Sequence, residues 1–252
     1  MLQVKEVSKS YGTHSVLKDL NLSIEKGTIT SFIGANGAGK STLLSIIARL
    51  TRQNSGQVYL EGQNIDHVKD KDMAKKLSFL RQSNFVNIKL TIRELVAFGR
   101  FPHSKGRLTK EDNDEIDKAL DYLTLKDIQH KHLDEISGGQ RQRAFIAMVV
   151  AQNTEYILLD EPLNNLDMKH SVQIMKVLRG LVKDLGKTVI LVMHDINFAS
   201  CYSDNIVAMR DGKVIKGGKT SDIIETKNLR EIFDMDFDVH HINNCKFCVY
   251  FE

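Results

Sequence analysis

The chain has 252 residues, of which 42% are hydrophobic and 27% are charged, with 35 basic and 32 acidic side chains. This length and composition are typical of a globular protein with one large core. The net charge of +3 is too small to indicate nucleic-acid binding, so we expect no nucleic-acid partner.

Membrane insertion and secretion are not indicated either. No apolar run approaches the roughly 20 residues that a bilayer-spanning helix requires, and the N-terminus lacks the apolar core segment of a secretory signal. We therefore expect a cytoplasmic protein unless a partner holds it at a membrane. The cysteine count is odd, at three, which argues against a disulfide framework and favours a reducing compartment.

The first 33 residues predict an antiparallel layer that leads into a buried strand. Apolar and polar side chains alternate from Leu20 to Ile24, as in a strand with one face in solvent. Tyr11 lies in a predicted turn, where its flat ring could stack on a purine. On position alone, a half-buried surface tyrosine is the favoured interpretation.

Residues 34–41 read Gly-Ala-Asn-Gly-Ala-Gly-Lys-Ser and match the G-x-x-x-x-G-K-[ST] pattern at every fixed position. A β-branched strand precedes them and an apolar helical pattern follows, so a chance match in a structural turn is a poor alternative. The glycine turn and helix start gather backbone N–H groups that suit a polyphosphate. Lys40 would reach the β- and γ-phosphates, and the Ser41 hydroxyl would ligate Mg²⁺. The predicted ATP-binding residues here are Gly34, Asn36, Gly37, Ala38, Gly39, Lys40, Ser41 and Thr42.

The middle of the chain predicts a helical insertion at about 83–152. A capping-box pattern begins at Thr91, and Thr109 opens a second helix with an apolar stripe. Gln82 follows a short predicted strand, where its amide could ligate Mg²⁺ or orient a water, although an exposed glutamine is a weak signal. Residues 98–107 form a basic link with two aromatic residues, and composition does not decide between a docking surface and a solvated loop.

A second helix start with glycines follows at Ser137, Gly138, Gly139 and Gln140. Its backbone N–H groups, at the N-terminus of a helix, predict a second anion site. One chain does not need two γ-phosphate sites, but a head-to-tail dimer does. We therefore predict that the Ser137 turn of each subunit caps the nucleotide held by the Lys40 loop of the other.

Two further buried strands end in polar residues. An apolar run from Tyr156 leads straight into Asp160, which would hold Mg²⁺, and Glu161, which would polarise the attacking water. Another run, 188–193, ends at His194. A lone histidine after a strand is usually structural, but beside the other elements we predict that it senses or stabilises the γ-phosphate.

Near the C-terminus, Cys245 and Cys248 form a C-x-x-C pattern with histidines nearby. It could be a metal or redox site. A structural zinc would need a second pair of ligands, so we favour reduced cysteines beside a terminal strand.

Taken together, these stretches resemble the ATP-binding subunit of ABC transporters over nearly the whole chain. The loop at 34–41 corresponds to Walker A, Gln82 to the Q-loop, 137–140 to the signature, Asp160 and Glu161 to Walker B, and His194 to the H-loop. Residues 164–167 correspond to the D-loop, within which Asn165 and Asp167 are the predicted contact residues, and Tyr11 corresponds to the aromatic A-loop, which reverses the interpretation favoured above. Ile136 in place of leucine before the signature, and Leu163-Asn164-Asn165 in place of the more common Ser-Ala, depart from the family pattern.

The resemblance implies a single α/β domain over residues 1–252: a P-loop (RecA-like) ATPase core with an N-terminal antiparallel β layer and the helical subdomain. It implies ATP and Mg²⁺ as cofactors. The catalytic residues would be Glu161, His194, Lys40 and Gln82, and the Mg²⁺ ligands would be Ser41, Gln82 and Asp160.

The residue sequences at 98–103 and 163–170 resemble those of the subgroup that imports iron(III)-siderophores, which is close to the haem and cobalamin importers. We expect a homodimer at the cytoplasmic face of the membrane. Permease subunits would dock on the Gln82 region and the helical subdomain, with a substrate-binding lipoprotein as an indirect partner. The alternatives are a haem or cobalamin importer, a soluble ABC ATPase of DNA repair or translation, and a nucleotide-binding regulator without turnover.

Overall fold

The computed structural model describes residues 1–82, 89–164, 166–243 and 245–251. The chain forms two compact units: Met1–Val68 with Thr188–Glu252, and Lys69–Lys187. The sequence-based division into one domain with a helical part at about 83–152 stays a prediction.

Strands and helices are mixed along the chain. The strands are β1 (Leu2–Tyr11), β2 (His14–Ile24), β3 (Ile29–Ile33), β4 (Ser55–Leu60), β5 (Gln63–Asn64), β6 (Leu77–Leu80), β7 (Tyr156–Asp160), β8 (Thr188–Val192), β9 (Asn205–Arg210), β10 (Lys213–Lys219), β11 (Asp238–Ile242) and β12 (Cys245–Val249). The helices are α1 (Lys40–Ile47), α2 (Asp70–Lys76), α3 (Ile92–Phe98), α4 (Phe101–Ser104), α5 (Lys110–Tyr122), α6 (Gly138–Ala151), α7 (Met168–Leu185), α8 (Ile196–Tyr202), α9 (Thr220–Ile223) and α10 (Thr226–Phe233).

The first unit contains the predicted antiparallel layer. Its strand order is β2-β1-β4-β5, and Leu2 lies opposite both Ile24 and Leu60. All three side chains are buried, so the apolar face of the layer contributes to the core. Pairing of β1 with β2 continues to Tyr11, opposite His14. Tyr11 therefore ends a strand, and its predicted place in a turn was wrong by one or two residues.

A second sheet in the first unit has the order β10-β9-β3-β8. Strand β3 runs parallel to both β8 and β9, and every residue of β3 and of β8 is buried. Complete burial along both strands fits strands that are covered on both faces. Because parallel strands end at the same edge, the residues that follow β3 and β8 lie side by side. Strands β9 and β10 pair antiparallel and are joined at Asp211-Gly212, which makes them a hairpin.

The second unit pairs β6 with β7 in parallel and packs the helices α3, α5 and α6 against one another. The capping box predicted at Thr91 is present, and the helix start predicted at Thr109 is a capping box too, since the two hydroxyls accept backbone N–H groups of Glu94 and Asp112. The predicted link at 98–107 is not a plain loop, because it contains the short helix α4. Proline at its first turn favours that helix, since its fixed φ suits a helix start.

A buried ion pair changes the interpretation of that link. Arg100 Nε donates to Asp112 Oδ1 at 2.8 Å, and its Nη1 donates to the Ala151 carbonyl at 2.9 Å. Both charged side chains are only 4% exposed. The backbone N–H of Thr109, its hydroxyl and the Arg100 guanidinium lower the pKa of Asp112 to about 2, although burial opposes them. Arg100 is therefore an internal anchor and not part of a basic surface.

The C-terminal hairpin of β11 and β12 packs on α8. Asn197 makes two hydrogen bonds to the backbone of Cys248: its side chain accepts from the N–H at 2.7 Å and donates to the carbonyl at 3.1 Å. Cys248 is a buried free thiol, and burial raises its pKa to about 11.

Cys201 on α8 and Cys245 on β12 are joined by a disulfide, with their Cα atoms 5.2 Å apart. The expectation of reduced cysteines was therefore wrong for this pair. The reason is the packing of α8 on β12, which joins residues 44 positions apart, so the odd count of cysteines could not reveal it. Within the described ranges, no group of three or more His, Cys, Asp or Glu side chains could hold a metal ion.

Among the residues that the structure describes, no helix is both long enough and apolar enough to cross a membrane.

Candidate functional site

In the first unit, the stretch 34–42, here called the phosphate loop, joins β3 to α1. Gly34 has a φ of +136°, and a Cβ there would lie 2.0 Å from the Met209 carbonyl oxygen of β9. Gly39 has a φ of +96°, and its Cβ would lie 2.5 Å from Leu17 Cδ2 of β2. No side chain fits at either position, so the glycines allow the loop to press against its neighbouring strands.

Lys40 begins α1, and its side chain folds back over the phosphate loop. Its Nζ donates to the Gly34 carbonyl at 2.8 Å and to the Ala35 carbonyl at 2.9 Å, and the residue is only 5% exposed. The first turn of α1 also contains Ser41 and Thr42, whose backbone N–H groups belong to the helix start. A held ammonium and a helix N-terminus together suit an anionic ligand.

His194 lies at the same edge of the sheet as the start of the phosphate loop. It follows β8 by two residues, and the preceding Met193 N–H donates to the Phe32 carbonyl of β3 at 3.1 Å. Asp195, directly after it, caps α8 by accepting the N–H groups of Asn197 and Phe198. His194 is exposed at this edge.

Tyr11 is 52% exposed at the end of β1. The Lys9 ammonium lies 4.9 Å from the centre of its ring. An exposed aromatic ring beside a cation can stack on a flat, electron-rich partner. The arrangement is compatible with the predicted contact to a purine.

In the second unit, Gln82 and Glu161 come together as a carboxylate cluster with Asp160 and Asn164. Asp160 ends β7 and is 8% exposed. Gln82 Nε2 donates to Glu161 Oε2 at 2.5 Å, and Asn164 Nδ2 donates to the same oxygen. Glu161 has a φ of +50°, a backbone conformation that is costly for a residue with a Cβ. Two amides thus hold the Glu161 carboxylate in one orientation, on a strained backbone.

The signature turn (Ser137, Gly138, Gly139 and Gln140) opens α6 as predicted. The Ser137 hydroxyl accepts the Gln140 N–H at 3.3 Å, and the Gln140 side chain accepts the Ser137 N–H at 3.0 Å. This reciprocal capping box fixes the start of a helix of 14 residues. Arg141 supports it by donating twice to the Leu133 carbonyl, at 2.7 and 3.1 Å.

Three side chains near these groups were missed by sequence reasoning. Asn164 binds Glu161, Gln142 Nε2 donates to the Pro162 carbonyl at 2.9 Å, and His170 packs on Gly139. The spacing of Asn164, three residues after Glu161 in a turn, was an available signal for the first contact. Asp167 caps α7, whereas the predicted contact residue Asn165 lies outside the described residues.

Comparison with known proteins gives a consistent result. The family model described as ABC transporter matches residues 17–164, which is more than half of the chain. The chain is 58% identical over 252 residues to the petrobactin import ATP-binding protein YclP of Bacillus subtilis (strain 168), and the alignment covers 100% of both proteins.

Solved structures agree with the sequence relatives. A chain from a structure described as a metal-chelate type ABC transporter in an inward-facing conformation has a TM-score of 0.85 at 25% identity, with 99% of this chain and 96% of that chain covered. The ATP-binding cassette MJ0796, in a dimeric post-hydrolysis state bound to ADP and Pi, has a TM-score of 0.77 at 31% identity, with 87% and 99% covered.

Proposed function

The chain belongs to the ABC transporter family, and from this membership we propose that it is the ATP-hydrolysing subunit of an importer of iron(III)-siderophores. A separate membrane permease would carry the cargo. The full-length similarity to YclP supports the siderophore assignment and makes petrobactin the first cargo to test. The similarity to a metal-chelate type transporter points to the same class of cargo.

The observation that carries the ATPase assignment is the Glu161 carboxylate held by two amides. Glu161 would accept a proton from the water that attacks the γ-phosphate. Gln82 and Asn164 would keep the carboxylate aimed, since each donates to Oε2. In the phosphate loop, Lys40 would bind the β- and γ-phosphates and offset the charge that develops on the γ-phosphate, with His194 as a further contact.

The chain also offers ligands of the right chemistry for Mg²⁺. The Ser41 hydroxyl, the Gln82 amide oxygen and the Asp160 carboxylate are hard oxygen donors, which Mg²⁺ prefers. When bound, the ion would neutralise phosphate charge during transfer. These three residues are the ones that we propose hold it.

We further propose that two copies act as a dimer, with the signature turn of each copy facing the nucleotide of the other. MJ0796 is dimeric in its ADP- and Pi-bound state, which supports the dimer. The permease would dock on the Gln82 region and the helical part of the second unit, at the cytoplasmic face of the membrane. Phe98 and Phe101 are 55% and 60% exposed there and supply an apolar contact surface, whereas Arg100 is internal.

The enzymatic test is Glu161→Gln. We expect phosphate release to fall at least about a hundredfold, because the variant lacks the proton acceptor, while binding of ATP persists. Size-exclusion chromatography with ATP and Mg²⁺ should then show a trapped dimer. Turnover equal to that of the unmodified protein would contradict the role of Glu161.

The cargo test is uptake of radioactive iron bound to petrobactin, to a hydroxamate siderophore or to haem, with labelled cobalamin measured in parallel. The cells would lack the gene for this chain and carry either the intact gene or the Glu161→Gln form. Restored uptake of a siderophore alone is the expected result. Restoration of haem or cobalamin uptake instead would reassign the cargo without affecting the ATPase assignment.

A further inference from the structure

Gly139 of the signature turn lies against the ring of His170. A Cβ at Gly139 would lie 2.7 Å from both Cγ and Cδ2 of the His170 ring. The backbone of Gly139 is not in the left-handed region, so its conformation does not require glycine. At Gly138 a Cβ would meet nothing within 4 Å. The imidazole ring therefore rests directly on the backbone of the second glycine and not on that of the first.

The ring of His170 is itself held by Asp167. Its Nδ1 lies 2.8 Å from Asp167 Oδ1, and its backbone N–H donates to the same oxygen at 2.8 Å. These hydrogen bonds, the backbone one first, lower the pKa of Asp167. One carboxylate thus fixes both the helix start and the imidazole that contacts Gly139.

A second contact joins the same two segments one turn along α6. Gln142 Nε2 donates to the carbonyl of Pro162 at 2.9 Å, and Pro162 directly follows Glu161. The first two turns of α6 therefore contact the segment 161–170 near its first residue, at Pro162, and at its last, His170. Neither contact was required by the family pattern from which the site residues were predicted.

We propose that His170 is a positioning residue, which ties Asp167 to Gly139 so that the segment after Glu161 and the signature turn keep one fixed relation. This inference rests on the proposed function, in which Glu161 serves the ATP of its own chain and the signature turn serves the ATP of a second copy. His170 would then link the two ATP sites of the dimer. It would act on turnover and not on the affinity of the phosphate loop for ATP.

The test is a set of four variants assayed for ATP turnover as full-length protein: His170→Ala, Gly139→Ala, the two combined, and His170→Asn. Lys176→Ala, an exposed position on the same helix, is the control. For His170→Ala we expect kcat to fall about tenfold with KM for ATP within about twofold, because only positioning is lost. For Gly139→Ala we expect a fall of about a hundredfold, since the new methyl group meets the ring.

The combined variant gives the sharpest result. Removing the ring leaves space for the methyl group, so we expect Gly139→Ala with His170→Ala to be at least about tenfold more active than Gly139→Ala alone. His170→Asn can place an amide N–H where Nδ1 lies and should retain most of the kcat. A combined variant no better than Gly139→Ala, or a raised KM with unchanged kcat in His170→Ala, would overturn the proposal.

Different results would contradict the proposed ATPase function and the proposed role of His170. If the unmodified protein released no phosphate from ATP, or if Glu161→Gln turned over normally, the ATPase assignment would fail whatever His170 did. Circular dichroism and binding of a fluorescent ATP analogue separate loss of folding from loss of positioning. Should His170→Ala fail to fold, the comparison of His170→Asn with the unmodified protein decides, because a kcat below one tenth of normal would exclude the hydrogen-bond role.

Discussion

The phosphate loop and the carboxylate cluster solve the same problem, that of holding polar groups in place, by different means. The phosphate loop is built from consecutive residues. Its backbone carbonyls hold Lys40, and its glycines lie against the neighbouring strands. In the cluster, Gln82 reaches Glu161 across 79 positions of the chain, and side-chain amides carry the geometry. The first region is therefore sensitive to added atoms, and the second to lost hydrogen bonds.

The largest effect is expected from adding one methyl group to the phosphate loop. Gly34→Ala would place its Cβ 2.0 Å from the Met209 carbonyl oxygen at a φ of +136°. We expect the free energy of unfolding to fall by about 4 kcal/mol or more, because a backbone atom must move. Urea denaturation measures this change in the free energy of unfolding.

Gly37→Ala is the matched control in the same loop. Its φ is +81°, but a Cβ there would meet nothing within 4 Å. The cost should be only the backbone strain, about 1–2 kcal/mol. Equal losses for the two variants would show that contact with β9 does not determine the loop, and the contrast drawn above would fail.

The next effect concerns the buried pair Arg100 and Asp112, which anchors the helices of the second unit. Asp112→Asn leaves the guanidinium without its counter-ion, so we expect a loss of about 3 kcal/mol at neutral pH, measured by urea denaturation. Replacing both residues by apolar ones, Arg100→Met with Asp112→Leu, should recover much of it. A larger loss in the double variant would contradict the ion-pair explanation.

The same pair predicts a pH dependence. The pKa of Asp112 is lowered from 3.8 to about 2 in the folded chain. A lowered pKa stabilises the fold above pH 3.8, and that contribution disappears as the pH falls through about 2. The difference in unfolding free energy between the unmodified protein and Asp112→Asn should therefore shrink between pH 5 and pH 2, and a constant difference would contradict the assigned cause.

The smallest effect is expected at Asn164, which shares its task with Gln82. Asn164→Ala removes one of the two donors to Glu161 Oε2. We expect kcat to fall about tenfold, equivalent to about 1.4 kcal/mol, with KM for ATP unchanged. Asn164→Asp keeps the shape but replaces the donor by a like charge, so its kcat should be lower still. An Asp variant more active than the Ala variant would exclude a donor role.

The same contrast explains what could be predicted from the sequence. The strand, glycine turn and helix around Lys40 follow from neighbouring residues, and so do the capping box at Thr91 and the helix start at Thr109. Each is a short-range pattern with its own physical cause. The structure agrees with these predictions, and the family match agrees with the fold class.

What could not be predicted depends on contacts between distant segments. The sequence marks Arg100 as one of several basic residues in a link, whereas its burial and its ion pair with Asp112 on α5 depend on a contact between separate segments. The disulfide of Cys201 with Cys245 and the contact of His170 with Gly139 are of the same kind. Periodicity and motif spacing carry no information about such pairs.

The two hydrogen bonds between Asn197 and Cys248 have a consequence for work on the intact chain. Asn197 stands three residues beyond His194, so the last strand braces the helix that follows this histidine. A deletion that ends the chain before Cys245 would leave that amide without both backbone groups, and deuterium uptake in the first turn of α8 should quicken. A tag or fusion that disturbs this end of the chain would therefore loosen the helix that follows His194.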